Sequence, residues 1–260
     1  MSLAQQQIEA YGEELLASLM NREAVTPLTE REPSLTLEEA YRIQAHTIAL
    51  RLAKADRIVG KKIGLTSRVV QRTLGVNEPD FGQLLASMAA SDSIEAASLI
   101  QPKAEGEIAF LLERDLEGPG VTYADVIRAT RAVLPCFEIV DSRIRDWKIK
   151  LQDTVADNGS AARFVLGDRA VELKDLDLAT CGMVLEKNGV IECTGAGAAA
   201  LGNPIHCVVW LANALGRLGT GLHAGEIILS GSLGALVPVA RGDHLSLSIG
   251  GLGTAAIRFT

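Results

Sequence analysis

Two glutamates, Glu105 and Glu107, stand one residue apart in "PKAEGEIAF", and the chain then runs directly into apolar residues. Side chains alternate faces along a β-strand, so a strand here points both carboxylates the same way and turns Gly106 to the other face. Two such groups repel and need a neutralising partner: water, a basic side chain, a shared proton or a metal ion. A third acid, Glu138, sits in the apolar run "LPCFEIVDS", with Asp141 and Asp153 following. Three carboxylates converging from neighbouring strands suit a hard divalent ion, Mg²⁺ or Mn²⁺, that keeps open positions for water or substrate. Zinc or copper fits less well, because the four histidines are scattered and form no H-x-x-x-H pair. E-x-E is also common on the wet face of an edge strand, and spacing alone favours that plainer reading.

Other residues invite chemistry on weaker grounds. Only one of the adjacent lysines Lys61 and Lys62 can face a site from a strand, and the other is expected in solvent. A partly buried lysine near a metal would have a lowered pKa and could transfer protons. Asp80 in "EPDFG" reads as a loop residue, and by itself as a turn-former beside Pro79. "TGAGAAALG" superficially suggests a dinucleotide fingerprint, but its glycines follow a hairpin strand and Pro204 precedes the next helix, so nucleotide binding is not expected. Trp147 and Trp210 read as core or interface residues, and Arg143 and Arg145 as surface ion-pair partners.

The elements that must position these groups follow from pattern. Ile8, Tyr11, Leu15, Leu16 and Leu19 recur at helical spacing over residues 4–22. A second helix starts at Thr36, with Glu39 completing a capping box. "RIVGKKIGLT" reads as a short strand, "SRVVQRTLG" as a helix stopped by Gly75, and "VNEPDFGQL" as a loop. From about residue 98 strands dominate, with an Asn188-Gly189 hairpin signal and two helices, one capped by Thr122 and one opening at Pro204. The expectation is an α+β protein: a helical N-terminal segment, residues 1–75, and a β-rich catalytic core, residues 76–260, forming one compact unit.

A chain of 260 residues that is 48% hydrophobic can bury a sizeable core. Its formal charge of −7 and lack of a Lys/Arg-rich run argue against nucleic-acid binding. The first residues lack the basic and apolar regions of a secretory signal, and no uninterrupted apolar run has membrane-spanning length. Four cysteines without a C-x-x-C pair read as buried thiols in a reducing compartment, which makes the cytoplasm the default location.

The motifs "VGKKIGLTS" (59–67), "GVNEPDFGQL" (75–84), "IQPKAEGEIAFLL" (100–112), "LPCFEIVDSRIRDWKIKLQDTVADNGS" (134–160), "GAGAAALGNP" (195–204) and "GEIILSGSL" (225–233) occur in order over almost the whole chain. As a set they resemble the 2-oxopent-4-enoate (2-hydroxypenta-2,4-dienoate) hydratases of bacterial meta-cleavage pathways, within the fumarylacetoacetate hydrolase superfamily. The resemblance implies a mixed, rolled β-barrel-like core of the fumarylacetoacetate hydrolase C-terminal type. It also implies Glu105, Glu107 and Glu138 as ligands of Mg²⁺ or Mn²⁺, Lys62 and Asp80 as catalytic groups, and Ser160 and Asn158 as substrate-lining groups. Homo-oligomerisation and association with 4-oxalocrotonate decarboxylase are further family expectations. That decarboxylase is the sister activity and the second reading; an acylpyruvate C–C hydrolase is third, since no histidine stands in a motif for activating water. A non-catalytic companion subunit is the alternative of a different class.

Overall fold

The computed structural model describes residues 3–174 and 176–260, with the side chains of residues 73 and 74 excepted. The chain opens with α1 (Gln5–Asn21), the single turn α2 (Leu28–Arg31) and α3 (Leu37–Leu52). It continues through β1 (Ile58–Gly64), α4 (Arg68–Leu74), β2 (Asp80–Leu85), β3 (Ser93–Ile94) and β4 (Pro102–Leu112). Then come α5 (Tyr123–Ala129), β5 (Thr130–Asp141), α6 (Leu151–Ala156), β6 (Ala161–Leu166), β7 (Gly182–Lys187) and β8 (Val190–Ala196). The last elements are α7 (Pro204–Arg217), β9 (Ile227–Leu229), β10 (Val237–Pro238), β11 (His244–Ile249) and β12 (Gly253–Phe259).

Local chemistry accounts for several boundaries. Thr36 Oγ1 accepts from the Glu39 N–H at 3.2 Å while the Glu39 carboxylate accepts from the Thr36 N–H at 2.9 Å, closing the capping box that starts α3. Asn203 caps α7 through the Ile205 N–H at 3.0 Å, with Pro204 in the first turn. Asn188 and Gly189 both take positive φ at the β7–β8 turn, as a tight primed hairpin requires. The segment expected as a loop, "VNEPDFGQL", instead carries β2, because β1 offers its edge and Asp80 to Leu85 pair antiparallel with it. Asp80 is therefore the first residue of a strand.

Seven strands form the larger sheet, in the order β2-β1-β9-β4-β5-β6 with β10 also on β4. All its pairs are antiparallel except β1 with β9. It curls until a bridge between Ala89 and Phe164 brings the stretch after β2 back to β6, so the roll nearly closes. β1 lies inside this sheet although it falls within the first 75 residues. A second sheet, β3-β12-β11-β7-β8, packs on the roll from outside. A side chain at Gly106 would put its Cβ 2.5 Å from Met183 Sδ and 2.7 Å from a Leu247 methyl, so the glycine between the two glutamates permits close approach of the second sheet. The strand thus shows its glycine to one layer and its carboxylates to the inside of the roll.

Inside the roll, Leu84, Ala109, Cys136, Phe164 and Leu229 pack with Ile48 of α3 and Met88 into an apolar plug. Along β4 and β5 the same inward face changes from Ala109 and Cys136 to Glu107, Glu105 and Glu138, so the plug gives way to a polar chamber. The segment Gly197–Arg217 has the length and apolarity of a membrane span, yet half of its most apolar window is buried, with Cys207, Val208 and Leu211 in the main core. The cysteines are free thiols; Cys136, Cys193 and Cys207 are buried, while Cys181 is partly exposed.

Arg143, expected at the surface, is buried. Its guanidinium pairs with the Asp157 side chain and backbone and donates to the carbonyls of Asp141 at 2.7 Å and Ala161 at 3.1 Å. The reason lies in Asp157, which returns from α6 beneath β5 and which a single-strand pattern does not reveal. This pair joins the end of β5 to the turn before β6, and removing one member leaves an uncompensated charge. Arg143→Met should therefore cost about 3–5 kcal/mol of stability. Urea unfolding monitored by circular dichroism checks this, and a loss below about 1 kcal/mol would show that the pair does not hold the turn.

Candidate active site

The β4–β5 register places Glu105 directly opposite Glu138, with Glu107 two residues farther along the same inward face. One carboxylate oxygen from each lies within 4.8 Å of the other two. Glu107 and Glu138 are fully buried, and Glu105 is partly open to a cavity. Glu107 Oε2 accepts the Gly231 N–H at 2.7 Å, presented by a turn in which Gly231 takes a φ of +91° and leaves no room for a Cβ against Thr66. Among the described residues, Glu107 Oε1 and both oxygens of Glu138 have no hydrogen-bond partner. Burial raises all three carboxyl pKa values, and the charge of Glu138 adds to this at Glu105 and Glu107; Glu105 is pushed up to about 7. Converging, buried, under-bonded carboxylate oxygens are a donor set that fits a hard divalent cation. Burial with unmet oxygens is hard to reconcile with the wet edge strand that E-x-E spacing also allowed.

Lys62 reaches the cluster from β1, its ammonium 3.4 Å from Glu138 Oε2. Four surrounding carboxylates outweigh burial and raise its pKa, the reverse of the shift that burial alone suggested. Asp80 is fully buried beside it, and pairing of Gly64 with Asp80 across β1 and β2 explains the proximity. A Cβ at Gly64 would fall 2.1 Å from Asp80 Oδ1 and 3.2 Å from Lys62 Nζ, so the glycine lets these groups share one space. Burial raises the Asp80 pKa against the opposing pull of Lys62, the Gly64 backbone and Thr154. Lys61 points to the other face of β1, where it is buried rather than solvated because Glu226 receives it at 2.6 Å.

Asn158, Gly159 and Ser160 form a turn with φ values of +56°, +60° and +54°. Ser160 lines the cavity and its hydroxyl donates to Asp157 Oδ2 at 3.2 Å. Gly159 packs against the Lys62 stem. Asn158 is placed differently from its expected lining role: its amide accepts from the Gln83 N–H at 2.7 Å and donates to the Gln83 carbonyl at 2.9 Å. It lies outside the cavity wall and fastens the turn to β2. Asp141 and Asp153 also lie apart from the cluster, accepting backbone N–H groups of Ile100 and Gln101 and of Thr29 respectively.

The cavity measures about 300 Å³ and brings Lys62, Asp80, Glu105, Thr154 and Ser160 together with Thr66, Ser67, Lys103, Trp147 and Leu236. Sequence reasoning passed over Lys103, although K-x-E-x-E spacing puts it on the same strand face as both glutamates. Trp147, expected in core or interface, lies at this cavity with its indole N–H donating to the Gln101 carbonyl at 2.9 Å. No spacing signal marks it, because two consecutive positive-φ residues, Asp146 and Trp147, turn the chain there.

Comparison with known proteins agrees with this geometry. The fumarylacetoacetate (FAA) hydrolase C-terminal family model matches residues 75–260. The chain is 52% identical to 2-hydroxyhexa-2,4-dienoate hydratase of Comamonas testosteroni, covering 97% of each chain. It is 57% identical to 2-hydroxypent-2,4-dienoate hydratase of Pseudomonas putida, over 82% of this chain and 97% of that one. The solved structure of 4-oxalocrotonate decarboxylase from Pseudomonas putida G7, complexed with magnesium and adipate, superposes with a TM-score of 0.97 at 37% identity, covering 100% of this chain and 99% of that one. By this likeness along its whole length, the chain belongs to the 2-oxopent-4-enoate (2-keto-4-pentenoate) hydratase family of the fumarylacetoacetate hydrolase superfamily.

Proposed function

We propose that the protein is a hydro-lyase that adds water to 2-hydroxypenta-2,4-dienoate, giving 4-hydroxy-2-oxopentanoate in the meta-cleavage degradation of aromatic compounds. The observation that carries this reading is the contrast in identity: 52% to a hydratase over nearly the full chain against 37% to a decarboxylase of the same fold. Glu105, Glu107 and Glu138 would hold Mg²⁺ or Mn²⁺, and the magnesium in the decarboxylase structure supports this choice of ion. Such an ion supplies Lewis acidity toward the carboxylate and C2 oxygen of a 2-oxo or enol acid.

The remaining chemistry belongs to the chain's own groups. In the proposed cycle the dienol first becomes the ketone: Asp80 takes the C2 hydroxyl proton and Lys62, held as an ammonium by its carboxylate neighbours, delivers a proton at C5. The resulting 3-enone is electrophilic at C4, where water adds its oxygen; in the proposed cycle the neutral Lys62 takes the proton the water releases and Asp80 returns its proton to C3, so both groups recover their starting states. Ser160 and Thr154 line the wall beside this pair and orient the substrate. Burial of Lys62 and Asp80 keeps bulk water from short-circuiting the transfer. Homo-oligomerisation and association with 4-oxalocrotonate decarboxylase belong to the same reading, supported by the shared fold, since like subunits can form equivalent interfaces. A cytoplasmic setting is supported by the four free thiols.

The decarboxylase reading stands second on the strength of the 0.97 TM-score. Incubation of the protein and Mg²⁺ with freshly generated 2-hydroxypenta-2,4-dienoate decides between them. Loss of dienol absorbance with a product heavier by one water, abolished by chelator, is the expected result. An untouched dienoate, with carbon dioxide released from 2-oxohex-3-enedioate, would transfer the assignment to the decarboxylase. In the same assay Lys62→Met should lower kcat at least about 100-fold, the usual scale of a lost proton-transfer group. Turnover within about threefold of the parent protein would remove Lys62 from the mechanism.

A further inference from the structure

Two ammonium groups face the cavity, and their circumstances differ. Lys62 is buried and already opposed by Glu138 at 3.4 Å. Lys103 is partly exposed; its Nζ stands 4.2 Å from the centroid of the Trp147 ring, and among the described residues no oxygen receives it. An ammonium carries three donors, so Lys103, on the cavity wall with Glu105 as its charged neighbour, has donors to offer a ligand. The ring that supports it is held by the indole N–H bond to Gln101 and by positive φ at Asp146 and Trp147. Left-handed backbone at a tryptophan is costly, and here it sets the direction from which the ring meets the cavity wall.

A substrate anion entering this chamber meets Asp80 and Glu105 on its wall, with Glu107 and Glu138 buried behind them. The ion that the three glutamates would hold engages the substrate's carboxylate, and of the three Glu105 is the one on the cavity wall, so that carboxylate lies at the edge of the cluster where Lys103 stands. Lys103 precedes Glu105 by two residues on one strand face, a step of about 7 Å, so a head group beside the carboxylate cluster lies within reach of a lysine side chain. We infer that Lys103, steadied by Trp147, is the residue that receives the C1 carboxylate of a monoanionic 2-hydroxydienoate or 2-oxo acid. The inference deepens the hydratase reading and rests on it for the identity of the reacting substrate, while its binding component can be judged separately.

The test uses Lys103→Met and Lys103→Arg in the full chain with Mg²⁺. Calorimetry measures the Kd of 2-oxopentanoate, which has the same head group and no diene to hydrate, and kinetics measures KM and kcat for 2-hydroxypenta-2,4-dienoate. Loss of a charge-assisted contact predicts a Kd and KM about 10–100-fold higher in Lys103→Met, kcat within about threefold, and substantial recovery in Lys103→Arg. Mn²⁺ affinity, read by electron paramagnetic resonance, should stay within about threefold, which a collapsed site would not allow. Kd and KM within about threefold of the parent would overturn the inference, as would failure of the parent protein to bind 2-oxopentanoate. Binding of 2-oxopentanoate that depends on Lys103, in a parent protein that leaves the dienoate unchanged, would sustain the inference and refute the hydratase reading.

Discussion

Repulsion among three clustered carboxylates, two of them fully buried, is the constraint around which this structure is built. Unit charges at the separations of Glu105, Glu107 and Glu138 repel by roughly 3 kcal/mol per pair at an effective dielectric near 20. The fold nevertheless brings them together from two hydrogen-bonded strands and, among the described residues, leaves three of their oxygens without hydrogen bonds. Such an arrangement is unfavourable as a purely structural device, because an apolar core of the same volume would be more stable. It becomes intelligible as a preformed cage whose strain is relieved by a cation and by Lys62.

The rest of the molecule keeps the cage in place. The apolar plug closes one end of the roll and lowers the local polarity, and Gly106 allows the second sheet to back the strand that carries two of the acids. Gly64 and Gly231 remove side chains where Asp80, Lys62 and a donated N–H must enter. The Arg143–Asp157 pair and the Asn158 amide fasten a strained left-handed turn that presents Ser160 and abuts Lys62. Stability devices and site devices are therefore the same residues in several places, which ties the integrity of the turn to the placement of Lys62 and Ser160.

Much of this was legible in the sequence, for identifiable physical reasons. Strand alternation alone put Glu105 and Glu107 on one face, and capping residues and the Asn188-Gly189 turn marked element boundaries. Pattern could not reveal cross-strand register, which sets Glu138 opposite Glu105 and turns the Asp80 segment from loop into strand. It also misplaced Arg143 and Lys61, since their partners Asp157 and Glu226 come from distant or crossing elements and only tertiary pairing makes burial of these cations tolerable. The amide of Asn158 was misread for a similar reason: its two partners are backbone atoms of a strand 75 residues away. Lys103 stood in plain sight at i−2 from Glu105, and attention to charge alone, without face, passed over it.

The central claim is that Glu105, Glu107 and Glu138 form a cage for one divalent cation. Anomalous diffraction from crystals grown with Mn²⁺, recorded on both sides of the manganese absorption edge, tests it directly. A single anomalous peak bounded by oxygens of all three carboxylates is the predicted result. Crystals that contain manganese elsewhere and show no peak between these carboxylates would contradict the account.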